Sequence, residues 1–191
     1  MYPVQYGQPH LTANSPDECR QIDYMQAVFG YLLRILFSAL RAPRVPTGAI
    51  VRRSHHRVWP RHVDFNRHMN QAAYAAVCEE ARVPWLLDSG CWPQWRAAGI
   101  HPVVAEQTLV YRRELAPFQR FLIDTRAVGM DGRLLVIEQH IIVDAKIHTR
   151  NRVKLLFIGP DGVLSAADTT DLCAKLLSSF FTVDSYAIHT G

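Results

Sequence analysis

The chain has 191 residues, 49% of them apolar, and a formal charge of +4. That length suits one domain, or one domain with extensions, and the apolar share is enough for a packed core. The four cysteines (Cys19, Cys78, Cys91 and Cys173) form no CxxC pair, which argues against a zinc site or a disulfide framework and leaves a reducing compartment as the default.

The modest positive excess suits an anionic ligand, a membrane surface or nucleic acid without choosing among them. No charged start followed by an apolar run opens the chain, so no secretory signal is expected. Residues 1–47 divide off as a tail and an apolar helix, 48–160 as the main domain, and 161–191 as a C-terminal helix and tail. Ser15-Pro16-Asp17-Glu18 has the form of a helix start: a cap, proline at the first position and acids in the first turn. Tyr24 to Leu40 is strongly apolar and would span roughly 26 Å as a helix, short of the roughly 30 Å hydrocarbon core of a bilayer. Three placements fit it: packed on protein, lying in a membrane interface, or spanning a bilayer. Peripheral membrane contact through residues 24–41 is the lipid-facing version. The expected location is cytoplasmic, with membrane association if that helix docks on lipid.

Ala49 to Val63 reads as the first strand. A polar corner follows, with Asp64, Asn66, His68 and Asn70, and then a small-residue helix from Gln71 to about Arg82. That helix is apolar almost all round and is expected to be enclosed. Pro84 is expected to kink it or end it. Trp92 to Ala98 reads as a short helix stopped at Gly99. Strands are expected at Val103–Leu115, Phe118–Val128, Arg133–Val143 and Ile147–Ile158, with turns at Gly129–Gly132 and Asp144–Lys146. Asp168 to Phe181 reads as a last helix. This order predicts an α+β fold in which an antiparallel sheet curls around one central buried helix, with the sheet's other face covered by a second copy.

The corner also carries a resemblance. Asp64-Phe65-Asn66-Arg67-His68-Met69-Asn70, followed by Tyr74, resembles the signature of hotdog-fold thioesterases of the 4-hydroxybenzoyl-CoA thioesterase type. The Asp-x-Asn-x-His spacing is also similar to that of plant acyl-ACP thioesterases. Arg57-Val58-Trp59-Pro60, Pro102-Val103-Val104 and Pro117-Phe118-Gln119-Arg120-Phe121 are similar to a branch of small thioesterase-like proteins with an N-terminal apolar helix. The family usually has two asparagines where this chain has Asn70-Gln71, a departure that bears on the local hydrogen bonding.

The resemblance implies a hotdog fold, a homodimer or tetramer, and hydrolysis of an acyl-CoA or acyl carrier protein thioester with no metal or bound cofactor. It gives Asp64 the role of general base or nucleophile; taken alone, an Asp before a helix is an ordinary cap. By the family's spacing the oxyanion donor is the backbone N–H of Gln71, in a helical first turn that carries partial positive charge. Asn66 and His68 match supporting positions, His68 being able to orient a carboxylate or relay a proton.

Five residues complete the expected set at the substrate. Asn70 borders the site and also suits tying the corner's backbone. Tyr74 lines the acyl pocket or belongs to the core. Glu80 is a reserve carboxylate, or one half of an ion pair. Arg112 and Arg120 are candidates for the coenzyme phosphates, or solvated strand residues. Two further readings stand beside hydrolysis: a non-catalytic acyl-binding protein, and a hotdog dehydratase or hydratase. No nucleic-acid motif is present.

Overall fold

The computed structural model describes residues 51–178, together with residues 29, 30, 32, 33 and 36. Strand alternation builds a single antiparallel sheet from β1 (Val51–Arg57), β2 (His101–Tyr111), β3 (Arg120–Asp131), β4 (Leu134–Val143), β5 (Lys146–Gly159) and the short β6 (Gly162–Val163). The order is β1-β3-β4-β5-β2, with β6 added to β5. Helix α1 (Gln71–Asp88) packs on the inner face, α2 (Trp92–Ala97) follows it, and α3 (Ala166–Ser178) closes the far end.

Several boundaries differ from the sequence expectation. β1 stops at Arg57, and Pro60–His62 form a 3-10 turn in place of more strand. α1 does not end near Arg82 or at Pro84; it runs through the proline to Asp88. Burial of Pro84, Trp85 and Leu86 in the core outweighs the hydrogen bond that proline removes. The β4–β5 hairpin turns on Asp144 and Ala145, both left-handed (φ 47° and 61°), the pairing that matches the twist of the flanking strands. α3 begins two residues earlier than expected, and the Ser165 hydroxyl accepts the Asp168 N–H at 3.2 Å as its cap. The expected start at Ser15, the first two residues of the first strand (Ala49 and Ile50) and the last turn to Phe181 lie outside the described residues. So does most of the Tyr24–Leu40 helix; its described residues are helical, with Phe29, Leu32 and Leu36 exposed. No helix among the described residues is long and apolar enough to cross a membrane.

The core between helix and sheet has two apolar halves. One gathers Tyr74, Val77, Leu115, Phe121, Ile123 and Ile141; the other gathers Trp85, Trp95, Ile137, Val153, Leu155 and Phe157. Between them runs a buried polar rung on three neighbouring strands, Thr125–Gln139–Asn151. Gln139 Nε2 donates to Cys78 O at 2.7 Å and to Thr125 Oγ1 at 3.0 Å; Asn151 Nδ2 donates to Gln139 Oε1 at 2.9 Å. Gln107 on β2 extends the row, its Nε2 donating to Asn151 Oδ1 at 3.2 Å. Each partner removed strands a desolvated group, at about 1–3 kcal/mol. Gln139→Leu is therefore expected to lower unfolding free energy by about 3 kcal/mol, seen as a shifted denaturant midpoint at unchanged slope.

The outer face of the sheet is charged. Arg53 pairs bidentately with Asp124, and Glu138 lies between Arg126 (3.3 Å) and Arg152 (2.8 Å). The Glu138 carboxyl is held below the usual range by those arginines, against the upward push of its burial. The open surface of a single chain is elsewhere. Along α1, Gln71, Ala72, Ala76 and Leu87 are exposed, so this helix is enclosed on the sheet side only. Beside it the β2 edge exposes Val104, Val110 and Tyr111.

His56 on β1 stacks on Phe121, ring centroids 5.5 Å apart, and shares a 2.8 Å hydrogen bond with Ser54. Burial, with smaller contributions from His55, His62 and Arg52, pushes its pKa down to about 4. A histidine held neutral by the fold binds its proton first in the unfolded chain. Its stability contribution is intact above pH 6.5 and is lost as pH falls towards 4, by at most about 3 kcal/mol. Thermal melts from pH 7 to pH 4 are expected to flatten in His56→Asn relative to wild type.

Candidate active site

The corner is built by backbone bonds that close on themselves. Val63 bridges Met69, and the Asp64 N–H donates to His68 O at 3.1 Å. Asp64 Oδ1 accepts the Asn66 N–H at 2.9 Å, and the Arg67 N–H reaches Asp64 O with Arg67 left-handed at φ 63°. These contacts make an Asx turn, the local conformation that aspartate favours. The loop is then pinned to the domain: Met69 N–H donates to Leu115 O at 2.9 Å and Asn70 N–H to His62 O at 2.7 Å.

Asn70 is the α1 N-cap, its Oδ1 accepting the Ala73 N–H at 2.8 Å. That leaves the N–H groups of Gln71 and Ala72 at the helix mouth with no acceptor among the described residues, and both residues are exposed. Helix N-termini present such donors together with partial positive charge, which suits an oxyanion.

Asp64 is 26% exposed, held by the turn yet open to solvent on one side. The His68 ring stands between two carboxylates, Nδ1 at 4.0 Å from Asp64 Oδ1 and Nε2 at 4.0 Å from Glu114 Oε2. These separations are longer than hydrogen bonds, close enough for charge coupling and bridgeable by small side-chain movement. Asn66 contributes only its backbone; its exposed side chain makes no hydrogen bond among the described residues.

The Gln71 side chain lies beside the Tyr111 hydroxyl rather than in the corner. Tyr111 meets Tyr74 edge-on, centroids 5.1 Å apart at 73°. Tyr74 is a core residue, 4% exposed, and burial pushes its hydroxyl up to about 12. Glu80 is half-buried further along α1. Arg112 and Arg120 are exposed. Arg112 follows β2, and Arg120 opens β3 opposite Arg57. Sequence reading passed over Glu114 and Tyr111. Both arrive through the long-range β2–β5 register and the Met69–Leu115 contact, which no local spacing shows.

A curled antiparallel sheet packed on one helix, with a carboxylate corner at that helix's N-terminus, defines a hotdog thioesterase-like domain. The chain belongs to the thioesterase-like superfamily, whose sequence profile matches residues 58–184. It is similar to zebrafish protein THEM6 at 34% identity over 115 residues, which are 59% of this chain and 57% of that protein. The chain thus spans just over half the length of that relative. Among solved structures it is similar to the YbaW probable thioesterase of Escherichia coli (TM-score 0.61, 20% identity, 65% of this chain and 97% of that one). It is also similar to SAV2348 of Staphylococcus aureus in complex with CoA (0.58, 13%, 73% and 92%) and to BH1999 gentisyl-coenzyme A thioesterase (0.54, 16%, 63% and 99%). At these identities the structural likenesses show the fold.

Proposed function

We propose that this protein hydrolyses acyl thioesters, acyl-CoA first among them, to a free carboxylic acid and a thiol. The observation that carries the reading is the partly open Asp64 carboxylate in the corner that leads into α1, whose mouth has two N–H groups unclaimed among the described residues. In the base route, Asp64 takes a proton from water as its oxygen bonds to the thioester carbonyl carbon. The Gln71 N–H stabilises the resulting oxyanion, the C–S bond breaks, and the thiolate leaves with a proton. In the nucleophile route the carboxylate itself attacks the carbonyl carbon, the C–S bond breaks as the thiolate leaves, and water then opens the anhydride to the free acid and the Asp64 carboxylate. His68, flanked by Asp64 and Glu114, is positioned to move the proton; Asn66 shapes the turn. Asn70 and Tyr74 hold the helix mouth and the wall beside it, with Glu80 behind them. Arg112 and Arg120, both exposed, would serve the coenzyme's phosphates. CoA as carrier is supported by the CoA-bound and CoA-thioesterase structures of the same fold. Thiol release from a panel of acyl-CoAs by wild type, and its loss in Asp64→Ala, is the expected result. Acyl-CoA bound but not cleaved by either protein overturns the reading in favour of a binding protein.

The working unit in this proposal is a homodimer. The β2 edge leaves backbone groups unpaired, and the exposed Val104, Tyr111 and Ala76 border it. A second copy satisfies both at once. Light scattering is expected to give twice the chain mass for wild type and a monomer for Val104→Asp.

A further inference from the structure

The chain's charge is concentrated at one end. Residues 57–68 and 111–120 hold six arginines against Asp64 and Glu114, a net +4 that equals the formal charge of the whole chain. Backbone hydrogen bonds gather these stretches together: Met69 N to Leu115 O, Phe118 N to Val58 O and Val58 N to Gln119 O, each 2.9 Å. The same end carries protruding aromatic rings, with Trp59 42%, Phe118 53% and Phe65 93% exposed. Arg57 braces two of them. Its Cζ lies 5.7 Å from the Trp59 ring centroid and 5.9 Å from that of Phe118, and its Nε donates to Phe118 O at 2.9 Å. Phe118 is held outward at φ 64°, a conformation rarely adopted by bulky residues.

We propose that this end of the domain docks on an anionic phospholipid surface. Trp59, Phe65 and Phe118 enter the headgroup region, and Arg57 and Arg61 meet the lipid phosphates. Aromatic rings settle at the water–lipid boundary, and each basic residue near an anionic leaflet adds attraction. A ring standing almost clear of the protein, as Phe65 does, is no wall of a groove. It fits a deformable interface better than the flat, close-packed centre of a protein contact. The docking does not depend on turnover, and it is separate from any contact through residues 24–41.

Flotation of the full chain tests this, using vesicles of phosphatidylcholine alone or mixed with phosphatidylserine. Wild type is expected to float with the mixed vesicles and to be released by salt. Arg57→Glu with Arg61→Glu is expected to weaken that partitioning at least about tenfold. Phe65→Ser with Phe118→Asn is expected to weaken it as well, with an unchanged melt, since Phe65 is almost wholly exposed and asparagine tolerates a left-handed backbone. Wild-type flotation in both double variants places the binding elsewhere and overturns the proposal. So does no flotation of wild type. Loss in the arginine pair with none in the aromatic pair is the signature of charge adsorption without ring insertion, and also overturns it.

Discussion

Asp64→Asn is expected to lower kcat for thioester hydrolysis by about 10²–10⁴-fold, the range that a positioned general base contributes. The substitution isolates the chemistry from the fold. An amide oxygen can still accept the Asn66 N–H that shapes the turn, and the Asp64 backbone bonds to His68 and Arg67 do not involve the side chain. The melting temperature should therefore hold while turnover falls. KM should change little, because the carboxylate acts on the attacking water rather than on the coenzyme. A loss under tenfold would remove Asp64 from the central role. Glu114, on the other side of the His68 ring, would then be next to mutate.

Gln71→Pro is expected to cost about 10²–10³-fold in kcat, roughly 3 kcal/mol of transition-state stabilisation, by deleting one backbone N–H. Proline suits this site structurally. Gln71 is the first residue of α1, where proline is favoured and the N–H has no helical acceptor. Asn70, at φ −73° and ψ 157°, already has the extended conformation required of a residue before proline. The Ala73 N–H bond to Asn70 is untouched. Gln71→Ala serves as the control, since it also loses the Tyr111 contact yet keeps the amide. Near-wild-type turnover in the proline variant would put the oxyanion elsewhere, the Ala72 N–H being the neighbouring donor.

What could be read from the sequence was what the chain encodes locally. The Asp64–Asn70 corner lies within seven residues, so its turn chemistry and the helix after it were visible as spacing. The five long strands followed from alternation and turn residues; the two-residue β6 did not. The polar rung was invisible, because Thr125, Gln139 and Asn151 are each an isolated polar residue in an apolar strand until register aligns them. Glu114 was hidden for the same reason. Pro84 left two outcomes open, a kink or an end, and α1 does not end there because the buried Trp85 and Leu86 hold the helix on to Asp88. The small-residue helix suggested full enclosure, yet Ala72 and Ala76 are open in a single chain.

The Thr125–Gln139–Asn151 rung also works as an alignment pin. A strand sliding by two residues would keep its greasy side inward, so packing alone tolerates the error. It would, however, set an amide against valine or isoleucine and forfeit several bonds in one move. Only one stagger of β3, β4 and β5 satisfies all three side chains. Because Leu115, just beyond β2, holds Met69 in place, that stagger also bears on where the acidic corner is anchored on the domain.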